Sequence, residues 1–337
     1  MKIAAYLLGV AGAVLFTVLL IQQGVKEVGG LVAQAGWGLL VVASFHLVPM
    51  FADAVAWWKL FPVTNRPSVA GVLWMRWLGE SVNGLLPVAQ VGGDIVRARM
   101  ATLSGVPLPL ATATVVVEVT VGVFTQALFT LLGLFLLVVV TGGTSLARPV
   151  LGGLLVAALC ILGFYTVQRI GLFRLLGLIV TKLVDSPSWH ALVKNGYSLD
   201  DAVRQVYQRR RDVLASCVWT MISWLVGAGE MWLGLYLLGA RTDVTDALIL
   251  ESLAQAVKGA MFLVPGAIGV QEGGFLLVGG MLGIPAEVAF ALSLVKRVRE
   301  ITIGVPGLIV WQMIEGRRLW KRRAAPTTEG DGNAPSS

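Results

Sequence analysis

The sequence predicts an all-α polytopic membrane protein: six crossings plus two opposed re-entrant helical hairpins, arranged as an inverted-topology repeat. Three observations carry that expectation. First, 56% of the 337 residues are hydrophobic and only 13% are charged, with a mean hydropathy of +0.81. A soluble domain of this length needs far more charge on its surface, and several apolar runs reach the roughly 20 residues that cross a bilayer. Second, two proline-led, glycine-rich breaks interrupt apolar runs: Leu85–Asp94 (LLPVAQVGGD) and Phe262–Gly274 (FLVPGAIGVQEGG). Each then carries an acidic residue and a Gly-apolar-Pro triplet. The pairs Pro87/Pro265, Asp94/Glu272, Gly105/Gly283 and Pro107/Pro285 are all 178 residues apart. Third, basic residues are distributed so unevenly over the loops that they orient the chain.

Ile3–Ile21 reads as the first crossing. Its apolar run is longer than a signal-peptide core, and the nearest small-x-small site, Ala33-Gln34-Ala35, lies well beyond it, so it is expected to remain uncleaved. Gln22–Gln34 is expected to be a short polar linker. Trp37–Phe61 is the second crossing and closes on Trp57-Trp58-Lys59, an aromatic and basic interface signature. His46 and Asp53 lie within it, either as functional groups or as partners for a neighbouring helix. Thr64–Pro67 is turn-like. Val69–Leu86 has a helical pattern but holds Arg76, Glu80, Ser81 and Asn83, too polar a set to face lipid. It breaks at Pro87, which cannot continue the hydrogen-bond ladder, and Gly92-Gly93 permits a reversal. Asp94–Leu103 then resumes as a short helix. Residues 69–103 are therefore read as a hairpin that enters and leaves on one side, tolerated only where its broken backbone is buried in protein or lines a cavity.

Pro107–Val140 is the third crossing, with Pro107 suited to a helix start. At 34 residues it is about 51 Å long, and no turn cluster divides it. Pro149–Val167 is the fourth crossing. Gly171–Val184 is amphipathic and suits the interface. Leu199–Arg211 is a basic helix whose Arg209-Arg210-Arg211 run attracts anionic lipid or simply fixes orientation. Val213–Leu238 is the fifth crossing, with Glu230 inside it. Val244–Val264 repeats the mixed polar pattern, with Glu251, Gln255 and Lys258, and breaks at Pro265; Glu272–Leu282 returns, making a second hairpin over residues 244–282. Residues 285–314 are the sixth crossing and contain Lys296, Arg297, Arg299 and Glu300. The first repeat is residues 1–140, the second 141–315, and 316–337 are expected to form a disordered basic tail.

With the C-terminal basic stretch in the cytoplasm, six crossings place the N-terminus there too. Sixteen of the 26 Lys and Arg residues then fall in cytoplasmic loops and tails and three outside (Lys26, Arg148 and Arg241), as the positive-inside rule requires. The net charge of +7 is thus a topology signal, not a sign of nucleic-acid binding. The first hairpin opens from the cytoplasm and the second from the exterior. Inverted repeats with discontinuous helices meeting near mid-depth are a recurring transporter plan.

The PGAIGVQEGG stretch, followed by Gly-Ile-Pro and a helix with embedded arginine, resembles the flippase-like membrane domain family, that of the lysylphosphatidylglycerol synthase transmembrane region. LLPVAQVGGDIVRARM, preceded by Glu80-Ser81-Val82-Asn83, is most similar to its hopanoid-biosynthesis-associated subgroup. The resemblance spans about residues 1–320. It implies a bacterial inner-membrane protein linked to lipid translocation, with membrane lipid as its partner. The bifunctional synthases carry a soluble aminoacyl-transfer domain after the membrane region; here only a short tail follows Glu315, so lysyl transfer is not expected.

The candidate substrate site gathers Glu80, Asn83, Pro87, Gly92, Gly93, Asp94 and Arg97 from the first hairpin and Glu118 from the third crossing. From the second half it takes Lys258, Pro265, Gly269, Glu272, Arg297 and Arg299. Charges inside a membrane cost roughly 2.5–3.5 kcal/mol each on insertion scales, so they need partners or a wet cavity. Helical spacing allows Arg297 or Lys296 to pair with Glu300, which leaves Arg299 for Glu118. In one reading such pairs only tie the halves together. In the other, Arg297, Arg299, Lys258 and Arg97 face a cavity and bind an anionic headgroup, helped by the N-termini of the returning limbs. An uncharged hopanoid would instead need an apolar wall.

Three functions are compatible with these features: a lipid transporter or flippase working by alternating access, a scaffold of a lipid-synthesis complex, or an intramembrane lipid-modifying enzyme. The enzyme reading lacks a nucleophile or metal set. Its one adjacent carboxylate pair, Asp200-Asp201, suits a helix N-terminus, and Cys160 and Cys217 suit packing. No cofactor or metal is expected, and the chain is expected not to be an enzyme.

Overall fold

Apolar helical periodicity becomes helix throughout the described part of the chain. A computed structural model describes residues 14–86, 91–142, 199–240, 242–260, 264 and 267–324, with side chains as far as Glu315. The expected fourth crossing, the interfacial segment Gly171–Val184, and the two tip prolines, Pro87 and Pro265, lie outside these residues. So does the start of the first crossing.

Helix α1 (Val14–Gln22) is followed, across an 89° bend, by α2 (Val25–Ala35). Gly24 makes the bend possible with φ +82°, a conformation open chiefly to glycine. The expected polar linker is therefore a helix. Its Val25, Val28, Val32 and Ala35 recur at helical spacing, and Val28 and Ala35 are buried. The second crossing is two segments, α3 (Gly38–Phe45) and α4 (Leu47–Lys59). Pro49 lacks the N–H that the Phe45 carbonyl would accept, so the ladder breaks at His46. Ser68 caps α5 (Val69–Leu85), accepting from Gly71 N at 3.1 Å. After it come α6 (Gly92–Leu103) and α7 (Leu108–Thr141), an unbroken 34-residue helix that ends at left-handed Gly142. Residues 199–208 are helical (α8). Helices α9 (Arg210–Leu237), α10 (Val244–Ala260) and α11 (Val270–Met281) lead to α12 (Ala286–Ala324). This last helix runs on through the basic residues 317–323, where a disordered tail was expected. Within it, Pro306 deprives the Thr302 carbonyl of its donor, and the neighbouring Ile303 carbonyl accepts from Trp77 Nε1 at 2.9 Å.

The 178-residue spacing reappears in the backbone. Helices α6 and α11 start and end 178 residues apart, and so do the starts of α7 and α12. Gly105 and Gly283 both have positive φ, and the next amides, of Val106 and Ile284, donate to Ala101 and Gly279 at 3.2 and 2.9 Å. Helices α5 and α10, however, are 175 residues apart. The extra three residues sit in the second break.

Packing follows the same pairing. Helix α5 packs on α6 and α10 on α11; α6 packs on α7 and α11 on α12. Between the halves, α5 lies against α12, α10 against α7, and α4 against α9. Exchanging the two halves leaves this pattern unchanged. Two apolar cores result. One takes α5, α6, the C-terminal part of α4 and the N-terminal part of α7 (Ala111–Val121). The other takes α10, α11, the end of α9 and the far end of α7 (Leu137, with Leu136 packed against it). By length and composition, three described helices are able to cross a bilayer: Gly38–Lys59, α7 and α9. The bent α1–α2 pair makes a fourth if it is one span.

Candidate functional site

Polar residues separate the two cores because they recur on one face of each helix that meets there. On α5, Arg76, Glu80 and Asn83 are spaced i, i+4, i+7. On α10, Glu251, Gln255 and Lys258 share that spacing, and on α12 Lys296 and Glu300 are i, i+4. These faces converge on a cavity of about 340 Å³, to which α4 adds Asp53, α9 adds Glu230, and the α3–α4 break adds His46.

Unpaired charges would be very costly here, because removing an ion from water costs several kcal/mol. The side chains resolve this by pairing. Glu118 of α7 holds two guanidinium groups, Arg76 at 2.6 Å and Arg97 at 2.7 Å. Arg76 also reaches Asp53 at 2.7 Å, and Arg97 reaches Asp94 at 2.6 Å and lies 5.1 Å from the Trp57 ring centre. In the second half Lys296 binds Glu251 at 2.8 Å, with its ammonium 5.6 Å from the Phe275 ring centre. Both of its side chains are at least 95% buried. Glu300 receives Lys258 at 3.3 Å and Arg297 at 3.1 Å. Arg299 binds Glu230 at 2.8 Å. His46 bridges Glu80 at 2.7 Å and Glu230 at 2.8 Å.

The Arg76–Glu118 and Glu251–Lys296 pairs occupy equivalent places. Residues 76 and 251 are 175 apart on the leading limbs, and 118 and 296 are 178 apart on the helices that follow. The geometry is repeated with both signs reversed.

The structure places six of the sequence-predicted residues on the cavity: Glu80, Asn83, Asp94, Arg97, Lys258 and Arg299. Glu118 stands behind Arg76 and Arg97. Gly92 and Gly93 start α6, and Asn83 Oδ1 accepts from Gly93 N at 2.7 Å. Glu272 caps α11, accepting from Gly269 N at 2.7 Å, and it also binds Arg297 Nε at 3.0 Å. Arg297 thus braces the second break and bonds the Ala267 carbonyl at 3.2 Å. Both returning limbs therefore have side chains of this chain at their N-termini, where an anionic headgroup was expected. Two expected pairs are also redrawn. Arg299 meets Glu230, not Glu118, because Glu118 faces the first hairpin. Lys296 turns to Glu251, leaving Glu300 to Lys258 and Arg297.

His46, Asp53, Arg76, Glu230, Glu251, Gln255 and Glu300 also line the cavity, and none of them was expected at the substrate site. The signal was present in each case: an ionisable group, or for Gln255 an amide, inside a largely apolar run. The lining holds six acidic side chains (Asp53, Glu80, Asp94, Glu230, Glu251, Glu300) against four basic ones besides His46 (Arg76, Arg97, Lys258, Arg299). Pro49, Met50, Trp224 and Ile303 supply an apolar wall.

A family model described as the lysylphosphatidylglycerol synthase TM region matches residues 3–307. No curated protein and no solved structure matches the chain. The chain belongs to the lysylphosphatidylglycerol synthase TM region family and is a multi-pass membrane protein.

Proposed function

We propose that this family member moves a membrane lipid between leaflets by alternating access of two inverted halves, and performs no chemistry on it. The observation that carries the reading is the polar cavity between two helix–break–helix units, lined from both halves and set between two apolar cores. Broken helices around a central polar site are how transporters expose a site to either side. The cores support opposed entry of the hairpins, since the first hairpin packs near the start of α7 and the second near its end. The loop-charge asymmetry supports six crossings with both termini in the cytoplasm, in an inner membrane.

The cavity also limits the cargo. Its cations all have carboxylate partners and its carboxylates outnumber them, which disfavours a bare anionic headgroup. A headgroup rich in hydroxyl or amine donors suits these carboxylates, while Met50, Trp224 and Ile303 suit the adjoining apolar stem. A phospholipid or a hopanoid with a polar side chain meets both demands, and the hopanoid-associated subgroup makes the latter the first cargo to try.

The test is reconstitution in vesicles with fluorescent phosphatidylethanolamine, phosphatidylglycerol and a hopanoid probe in separate preparations. Transbilayer movement several-fold faster than in empty vesicles is expected for at least one of them. Rates equal to empty vesicles for all three would remove the transport reading.

A further inference from the structure

His46 sits in the break between α3 and α4, where three other helices meet its ring. Nε2 lies 2.7 Å from Glu80 Oε1 on α5. Nδ1 lies 2.8 Å from Glu230 Oε2 on α9 and also 2.8 Å from Arg299 Nη1 on α12. One ring nitrogen does not serve both partners. A carboxylate needs an N–H from it, whereas a guanidinium N–H needs its lone pair.

The two contacts therefore belong to two states of the ring. In the neutral ring Nε2–H donates to Glu80 and bare Nδ1 accepts from Arg299. In the imidazolium, Nδ1–H donates to Glu230, and Arg299 keeps its own hydrogen bond to Glu230 Oε1 at 2.8 Å and its ion pair with Glu300 at 3.6 Å. The other charged groups on the cavity are engaged elsewhere: Asp53 with Arg76, Asp94 with Arg97, Glu251 with Lys296, and Lys258 with Glu300. His46 and Glu80 belong to the first half, Glu230 and Arg299 to the second. Protonation thus changes which helix of the second half holds the first, from α12 to α9.

We infer that His46 is a proton-binding site that couples the movement of lipid to a proton gradient. This rests on the transport reading above. A proton from cavity water adds to the Nδ1 lone pair; the Arg299 Nη1–H···Nδ1 bond breaks and Nδ1–H···Glu230 forms. On return the same proton leaves to water and the first bond reforms. No other bond changes. Histidine suits the task because its charge changes within roughly pH 5 to 8.

Two measurements test it. The first needs no transport. His46 and His190 are the two histidines of the chain, so His190→Gln leaves one imidazole for nitrogen NMR of the isotope-labelled full chain in lipid. The Nε2–H tautomer is expected at high pH and the imidazolium at low pH, with the midpoint displaced by Glu230→Gln. A ring that stays in one state between about pH 5 and 8, or that ignores Glu230→Gln, overturns the assignment.

The second uses the vesicles above, with fluorescent phosphatidylethanolamine, phosphatidylglycerol or hopanoid and a pH dye inside. Imposed pH gradients of opposite sign are expected to change the rate several-fold in opposite directions, with proton flux accompanying lipid. His46→Gln is expected to abolish the flux and the gradient response. Lipid movement indifferent to the gradient overturns the coupling but leaves the transport reading intact. Absence of lipid movement under every gradient overturns both, and a His46→Gln protein that still responds like wild type overturns the role of His46.

Discussion

Glu118 neutralises two guanidinium groups at once, so its loss leaves two buried cations underpaired. Glu118→Gln is expected to cost roughly 3–5 kcal/mol, the scale of a broken buried pair, and to lower the unfolding temperature measured in detergent. Asp94→Asn is expected to cost less, since Asp94 is the more exposed partner and Arg97 keeps Glu118. The Glu251–Lys296 pair permits a sharper test. Glu251→Lys and Lys296→Glu each place like charges together in a buried site, whereas the double substitution restores an ion pair. The double variant is expected to be more stable than either single one, and a thermal-shift double-mutant cycle reads the coupling. Additive losses would mean that the pair contributes nothing as a pair.

Helices α5 and α6 approach closely at two glycines. A Cβ on Gly93 would run into the Gly79 carbonyl and the Asn83 side chain, and one on Gly79 would lie 2.8 Å from the Gly93 carbonyl. Gly93→Ala is expected to force the limbs apart, at about 1–3 kcal/mol for overpacking. Gly122→Ala on α7, whose Cβ would meet nothing within 4 Å, is expected to stay within about 0.5 kcal/mol. Equal unfolding temperatures for the two variants would remove the close approach as a structural requirement. The breaks that create these limbs were legible in the sequence because proline and paired glycines have few other uses inside an apolar run. The register was only partly legible. The 178-residue spacing holds for the returning limbs and the helices after them, but the leading limbs are 175 apart because six residues separate α5 from α6 and nine separate α10 from α11. Lys26, Glu27 and the paired Gly29-Gly30 hid the apolar spacing of α2. The charges after Glu315 suggested solvent, which does not exclude helix. The partners of His46 were not legible, because they lie 34, 184 and 253 residues away and no local pattern connects them.

Orientation belongs to the molecule as a whole. Asn65 and Asp243, themselves 178 residues apart, are exposed at the approaches to α5 and α10. If the halves are inverted, these two positions face opposite sides of the membrane. In a chain with Cys160 and Cys217 replaced by serine, Asp243→Cys is expected to react with a membrane-impermeant maleimide from outside the cytoplasmic membrane. Asn65→Cys is expected to react only after permeabilisation. Labelling of both from one side would end the inverted arrangement. The sign reversal between Arg76–Glu118 and Glu251–Lys296 then has a further effect. Two identically charged halves, related by an axis in the membrane plane, would turn their dipole over on exchanging roles, and voltage would separate the two states by about 2.3 kcal/mol for each elementary charge carried through 100 mV. Halves with the same backbone and opposite signs regain the same dipole across the membrane, and each pair is neutral in itself. In the proposed alternating-access cycle these two pairs are therefore expected to carry no net charge across the bilayer. An antisymmetric pair of ion pairs insulates the exchange of states from the potential of the membrane that holds it.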